Sequence, residues 1–421
     1  MDGLRDRAAK LFRTACEAAD PAHALAREMS RNPPGKPGKN GRYIIVSIGK
    51  AAIPMTEALL PALAGAPVEA VVVTNYENAR ALPGAMVIAA GHPVPDENGA
   101  KGAEEVIRLL SSAGAQDRVI ALISGGGSAL LPAPVEGVSL ADKAEVNRLL
   151  LANGFEITEV NLVRQQLSRL KGGGMLRFAA PAPVTAYILS DVIGDDLRVI
   201  ASGPTVAPVG TRSDARALLT DRGLWPRLPE SVRLHLDAPN EPAPSAHPAQ
   251  NHLIGSNRLS LEAVCAAAQD MDAEIVSDEL TGDVAEAAER IVAAAQSTRS
   301  NGDKCLIFGG ETAVTLKGTG LGGRNQELAL RVAMAMPDLG RGWVFLSGGT
   351  DGRDGPTEAA GGIVDAGTPA RIVAAGGDPE ALLANNDSNR ALALAGDLLV
   401  IGATGTNVAD VQILLLGPKA V

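Results

Sequence analysis

Apolar residues along this chain fall into two alternating rhythms. Short runs rich in Val, Ile, Leu and Ala, at Tyr43–Ile48, Ala70–Thr74, Met86–Ala90, Arg118–Ser124 and Val184–Leu189, read as buried strands. Between them Ala51–Leu63, Asn98–Ser112, Leu140–Leu151 and Glu156–Leu170 read as helices. Strands that alternate with helices predict an α/β architecture with a mainly parallel sheet.

Two segments follow neither rhythm. Arg31–Gly41 is rich in Pro, Gly and Lys and joins a first amphipathic helix to the first strand. Asp237–Gln250 holds four prolines and little to bury, and is taken as a domain boundary. The rhythm then resumes. Strands are expected at His252–Gly255, Ala273–Val276, Lys304–Gly309, Thr312–Leu316, Trp343–Ser347, Leu398–Gly402 and Val411–Leu416. Helices are expected at Arg258–Met271, Val284–Thr298, Asn325–Met336 and Ser388–Ala395. The expected domains are residues 1–240 and 250–421, both α/β with mainly parallel sheets, with part of the C-terminus free to pack back on the first.

Composition narrows the function. With 38 Lys+Arg against 48 Asp+Glu the formal charge is -10, which argues against a nucleic-acid or membrane-surface role. Aromatic residues make up 2%, too few for base-stacking platforms. Cys16, Cys265 and Cys305 are far apart and in no zinc or disulfide spacing, which suggests a reducing compartment. The N-terminus is charged and amphipathic, unlike a signal peptide, and no apolar run has the length of a membrane span. The expectation is a soluble, cytoplasmic protein.

The candidate chemistry sits at strand ends. After Tyr43–Ile48, Gly49 turns the chain and Lys50 stands at a helix start, a placement against the helix dipole that makes sense beside an anion. After Arg118–Ser124 comes Ser124-Gly125-Gly126-Gly127-Ser128, whose amides and hydroxyls can wrap a phosphate or carboxylate. Asp191 follows Val184–Leu189, at the edge where open α/β sheets place ligands; it can hold Mg²⁺ or accept a hydroxyl proton, whereas Asp195 and Asp196 read as helix caps. Gly309–Glu327 holds six glycines, among them Gly309, Gly310, Gly322 and Gly323, together with Glu311 and Thr312. It ends in Arg324 and Asn325 at a helix start, a surface suited to phosphate. Asp351 and Asp354 lie in a glycine-rich turn and form a candidate metal pair. Asn385–Asn389 and Gly402–Asn407 read as polar turns or caps. No histidine, Ser-His-Asp or Cys-His arrangement stands at any of these sites. Phosphoryl transfer fits that inventory, because it relies on positioning and charge neutralisation.

These motifs, Ser-Ile-Gly-Lys-Ala-Ala, Ser-Gly-Gly-Gly-Ser-Ala, Leu-Ser-Asp-Val-Ile-Gly-Asp, Gly-Gly-Glu-Thr, Gly-Gly-Arg-Asn-Gln-Glu, Thr-Asp-Gly-Arg-Asp-Gly-Pro-Thr and Gly-Thr-Asn-Val-Ala-Asp, run in order from Ser47 to Asp410. Together they resemble the class II glycerate 2-kinases. The resemblance implies ATP- and Mg²⁺-dependent phosphorylation of D-glycerate at its 2-hydroxyl. It also implies a Rossmann-like N-terminal domain, a MOFRL-type C-terminal domain and a cleft between them. It further implies that Lys50 and Arg324 are the active-site pair, with Asp191 or Asp351 holding metal or orienting the hydroxyl. The alternatives are an NAD(P)H-dependent hydroxypyruvate reductase, a label carried by some members, and a non-catalytic sugar-phosphate-binding module. The partner expected is a small molecule, with self-association left open.

Overall fold

The computed structural model describes residues 2–239 and 248–419. The chain divides into two compact units. The N-terminal unit is Pro21–Ser190 with Asp195–Ile254; the C-terminal unit is Met1–Asp20, Asp191–Gly194 and Gly255–Val421.

The N-terminal unit is built on β1 (Tyr43–Ile48), β2 (Val68–Asn75), β3 (Met86–Ala90), β4 (Arg118–Ile123), β5 (Val184–Leu189) and β6 (Gln250–Gly255). Their order is β3-β2-β1-β4-β5-β6, that of dinucleotide-binding sheets. The pairings of β1 with β2 and β4, of β2 with β3 and of β4 with β5 are parallel. β1 and β4 are buried on both faces, which is why their sequences lack polar alternation. The chain runs outward from β1 to β3 and then crosses back to β4. The topological switch therefore lies between the C-terminal ends of β1 and β4, where such sheets bind ligands. The helices between Leu140 and Gln166 and those between Arg212 and Asp237 pack an apolar core of their own, with Leu149, Leu150, Val163, Leu219 and Val232 at its centre. Of the proline-rich Asp237–Gln250, residues 240–247 lie outside the described part. Beyond it β6 still belongs to this sheet, so the N-terminal unit reaches past position 250.

The C-terminal unit holds β7 (Ala273–Ser277), β8 (Gly282–Asp283), β9 (Lys304–Gly310), β10 (Thr312–Ala313), β11 (Arg341–Gly349), β12 (Gly361–Asp365), β13 (Leu398–Leu399) and β14 (Asp410–Lys419). β8 and β10 form a small two-stranded ladder. The main sheet has the order β13-β12-β11-β14-β9-β7. Here the expectation of a mainly parallel sheet is corrected, since only β7–β9 is parallel and the other four pairings are antiparallel. The strand–helix alternation is read correctly. β9 and β11, joined through the helix Arg324–Ala335, run the same way. But β14, the last strand, inserts between them in the opposite sense, and no local pattern announces such an insertion.

Apolar cores cover both faces of this sheet. On one face lies the first helix, Asp2–Ala18, with Ala8, Leu11, Phe12 and Ala15 packed among Leu261, Val264, Ile307 and Ile413. Arg5 pairs with Asp365 and donates to Asp397 at 2.6 Å, and Ser260 Oγ donates to Ala15 O at 2.9 Å. The sequence reading placed this helix in the first domain and left the C-terminus free to pack back. The reverse is found, and the beginning of the chain completes the C-terminal core.

Candidate active site

At the switch point the two glycine turns are locked together. Ser124 N–H donates to Ile48 O at 2.9 Å and Lys50 N–H to Gly125 O at 2.9 Å. The buried Ser124 hydroxyl donates to Ile48 O at 3.2 Å and accepts from Ala51 N–H at 3.1 Å. Ser124 is thus a staple between loops, which corrects its expected place among the ligand donors. Gly49 has φ +119°, and a Cβ there would lie 2.2 Å from Ser124 Oγ, so only glycine allows the approach.

The loop hydroxyl at Ser128 is also engaged, 2.8 Å from Ser202 Oγ, which donates to Asn161 Oδ1 at 2.8 Å. Ala201, Ser202 and Gly203 all have positive φ, at 49°, 61° and 66°. Two non-glycine residues in that region cost energy, and such strain tends to persist where surrounding contacts hold a functional shape. Here the strained segment presses on the triplet. A Cβ on Gly127 would lie 2.8 Å from that of Ala201. What the triplet offers outward is backbone: among the described residues no acceptor takes the amides of Gly125, Gly126, Gly127 or Ser128.

At this switch point sequence reasoning missed one residue. His92, two positions beyond β3, lies against the triplet. A Cβ on Gly126 would sit 3.0 Å from His92 Cδ2 and 3.4 Å from Lys50 Cγ. The two side chains converge over a glycine held at φ +84°. Burial and the Lys50 charge lower the His92 pKa from its ordinary value, against a smaller opposing pull from Glu77. Burial and Lys50 both favour the neutral imidazole. Asn78 Nδ2 donates to Lys50 O at 2.9 Å, and Asn75 Nδ2 holds Glu77 at 2.6 Å. The signal was available, since His92 stands just past a strand end as the other candidates do.

In the C-terminal unit, Arg324 opens the helix Arg324–Ala335. Its Nε donates to Asp410 Oδ2 at 2.6 Å, Nη2 to Asp410 Oδ1 at 3.0 Å and Nη1 to Glu311 Oε1 at 2.7 Å. A guanidinium has five N–H donors, so two remain for a ligand. Asp410 is buried, and burial pushes it up to about 6 against the pull of Arg324. Arg324, which burial alone would lower, is held above its ordinary value by Asp410 first, then Glu311 and Asp354. The sequence reading had passed over Asp410.

The glycine-rich surface before Arg324 is mostly occupied by the protein itself. Asp354 accepts from Asn325 N–H at 3.1 Å, Gln326 N–H at 2.8 Å and Gln326 Nε2 at 3.0 Å. A buried carboxylate thus fills the helix N-terminus where phosphate was expected, and Asp354 leaves the metal pair. Burial pushes Asp354 up, while these hydrogen bonds and Arg324 pull it down. Asn386 Oδ1 accepts from Lys317 and Gly318 N–H at 2.7 and 2.9 Å, Asn385 Oδ1 from Thr319 N–H at 3.1 Å and Asp387 Oδ1 from Leu321 N–H at 3.1 Å. The Asn385–Asn389 turn is a clasp on the loop rather than a simple cap. Gly309, Gly310, Gly322 and Gly323 serve close packing, because a Cβ at each would come within 2.4 Å of Asn257, Leu280, Ser388 or Asp354. Thr312 is buried, and its hydroxyl finds no partner among the described residues. Asn325 receives the Ser347 hydroxyl at 2.6 Å and is buried. Asp351 is exposed and accepts from Arg353 N–H at 2.9 Å, an Asx turn. Asp191 follows β5 and groups with the C-terminal unit. Asp196 accepts from Arg198 N–H at 2.9 Å and pairs with its guanidinium, so it closes a local turn rather than capping a helix as expected.

A sheet with a ligand-binding switch point, a glycine triplet with open amides, a lysine and a braced arginine define a phosphate-handling α/β protein. Comparison with known proteins is specific. Residues 7–237 match the family described as Domain of unknown function (DUF4147), and residues 304–410 match the MOFRL family. The Pyrococcus horikoshii protein named Glycerate 2-kinase is 38% identical over 99% of this chain and 98% of its own. The Thermotoga maritima protein named D-glycerate 2-kinase is 39% identical over 99% of both. The crystal structure of a Thermotoga maritima glycerate kinase superposes with a TM-score of 0.90 at 38% identity, covering 99% of this chain and 100% of that one. The chain belongs to the class II glycerate 2-kinase family.

Proposed function

We infer that this chain is a glycerate 2-kinase, transferring a phosphoryl group to the 2-hydroxyl of D-glycerate to give 2-phosphoglycerate. The observation that carries the reading is the switch point of the N-terminal sheet. There Lys50, His92 and the open amides of Gly125–Ser128 meet in a chain alike from end to end to proteins named for this reaction. ATP supplies the phosphoryl group when bound. The Gly125–Ser128 amides suit non-bridging oxygens, Lys50 suits a point charge on the transferring group, and neutral His92 can accept a hydroxyl proton. The two remaining Arg324 donors suit a carboxylate or phosphate. Gly309, Gly310, Glu311, Thr312, Gly322, Gly323 and Asn325 act by shaping the ground around Arg324.

Mg²⁺ is part of the reading. Among the described residues no group of three His, Cys, Asp or Glu could hold a metal. Mg²⁺ held chiefly by phosphates needs only one or two carboxylates, so the residues are compatible with it. Asp191 and Asp351 are the proposed ligands, with Asp191 also able to orient the 2-hydroxyl. A cytoplasmic location is proposed with it, supported by Cys16, Cys265 and Cys305 being free. No helix among the described residues is long and apolar enough to cross a membrane.

The test is ADP formation with D-glycerate, followed by identification of the phosphorylated product. No ADP would sink the reading, and phosphate on the 3-hydroxyl would correct its regiochemistry. The reductase alternative is not favoured; it predicts nicotinamide oxidation with hydroxypyruvate in an absorbance assay.

A further inference from the structure

We propose that Lys171 is a positioning residue for the glycine triplet, holding the carbonyl side of Gly125–Ser128 so that its amides stay open to the donor's phosphates. The proposal rests on the kinase reading, which puts those phosphates on the triplet, and adds what keeps the triplet in shape. Each carbonyl of the loop is taken by the protein itself. Gly125 O accepts from Lys50 N–H at 2.9 Å, Gly126 O from Ala129 and Leu130 N–H at 3.1 and 3.2 Å, and Gly127 O from Leu131 N–H at 3.3 Å. The next donor in that helical series would be residue 132, but Pro132 has no N–H. Ser128 O is taken instead by a side chain 43 positions away, Lys171 Nζ at 2.6 Å.

Lys171 is built for this contact. It is only 5% exposed, and among the described residues Ser128 O is the one hydrogen-bond partner of its Nζ and no carboxylate pairs with it. The turn that carries it is fastened to the strained segment, with Gly172 N–H donating to Ser202 O at 3.1 Å and Gly173 N–H to Gly203 O at 2.8 Å. Ser202 Oγ also lies 2.8 Å from Ser128 Oγ, so Ser128 is gripped at two atoms. The bond reaches the ligand electrically as well. Ser128 C=O and Ala129 N–H belong to one peptide group; Ala129 N–H donates to Gly126 O; and Gly126 C=O shares a peptide group with the open Gly127 N–H. Hydrogen bonds in series polarise one another, so a cation on Ser128 O makes Gly127 N–H a stronger donor. Burial lowers the Lys171 pKa well below its ordinary value, and the cations Lys143 and Arg164 add to the shift. An anion on the triplet acts the other way and favours the ammonium, so ligand and lysine support each other.

The test measures binding of inorganic tripolyphosphate by calorimetry, steady-state kinetics and melting temperature for the wild type, Lys171→Met and Lys143→Met. In Lys171→Met, tripolyphosphate affinity and the ATP KM should each worsen at least about tenfold, with the glycerate KM within about twofold. Its melting temperature should fall by no more than about 3 °C, because the lost bond is offset by removal of a buried cation. Lys143 donates to Leu167 O at 3.4 Å and not to the triplet, so Lys143→Met should bind tripolyphosphate within about threefold of the wild type. Unchanged affinity in Lys171→Met overturns the proposal. Equal losses in the two variants assign the effect to the general field of the cations and overturn the role of the Ser128 bond. Worsened ATP and glycerate KM together with a large fall in melting temperature make Lys171 a structural residue and overturn it too. If Lys171→Met loses its melting transition, Lys171→Gln, which keeps a polar head without the charge, makes the same comparison. Failure of the kinase reading is distinguishable: the wild type would then form no ADP with D-glycerate, while tripolyphosphate binding would still depend on Lys171.

Discussion

Arg324 and Asp410 meet as a two-point pair, Nε on Oδ2 and Nη2 on Oδ1, at 2.6 and 3.0 Å. The carboxylate is buried and the guanidinium partly exposed, so Asp410 fixes the plane in which the remaining N–H groups are presented. Lysine keeps the charge but not the plane. Arg324→Lys should lower kcat/KM more than tenfold, about 1.4 kcal/mol or more of transition-state stabilisation. Near-normal kinetics would remove Arg324 from the active site.

The same pair predicts an acid limit to activity. Above about pH 6 Asp410 is ionised and braces Arg324; as pH falls through about 6 it takes up a proton and the brace weakens. kcat/KM should therefore fall below about pH 6. Linkage has the opposite sign, because the folded value lies above the unfolded one. The folded state then binds more protons, and this group favours folding as pH falls from about 6 toward the ordinary aspartate value of 3.8. Activity should fade while the melting temperature holds, and the fade should persist in His92→Asn but shrink in Asp410→Asn. A profile flat to pH 5 would contradict the assignment.

Lys50 and His92 share the space over Gly126. Lys50→Met should lower kcat/KM more than tenfold, and His92→Ala should do the same while far-UV circular dichroism stays unchanged. Gly126→Ala adds a Cβ 3.0 Å from His92 Cδ2 at φ +84°. It should cost about 1–2 kcal/mol of stability and lower activity with it.

Asp354 caps the Arg324 helix from within the core. Asp354→Ala leaves the backbone amides of Asn325 and Gln326 without their acceptor. Urea denaturation should show a loss of about 2–4 kcal/mol. A loss below about 0.5 kcal/mol would mean that water or another group takes over the cap.

Much of this was legible in the sequence, for stated reasons. β1, β3 and β5 have the bounds read from apolar runs; β1 and β5 are buried on both faces, which leaves an uninterrupted signal. β12 was missed, since Gly361 and Gly362 disguise its start as part of a turn. Lys50 beside the triplet was legible because parallel α/β sheets gather strand ends. The fate of the Gly309–Glu327 segment was not. Its glycines look the same whether they admit a phosphate or, as found, the backbone and side chains of Asn385–Ser388 and Asp354. Asp410 was invisible as a partner because 86 positions separate it from Arg324.

The first helix, packed into the core beside β14, ties the two ends of the chain into one event. On a ribosome making about 5–20 residues per second, that helix waits roughly 20–80 s for its partner strand to be made. Leu11 and Phe12 have no core to enter until Leu261, Val264 and Ile307 are made, and that core stays open until β14 is, while β1–β5 and their helices are complete and able to fold. The C-terminal unit is thus the last part of the chain to close. A nascent chain stalled before β14 would carry an exposed amphipathic leader, a natural handle for chaperones and for aggregation alike.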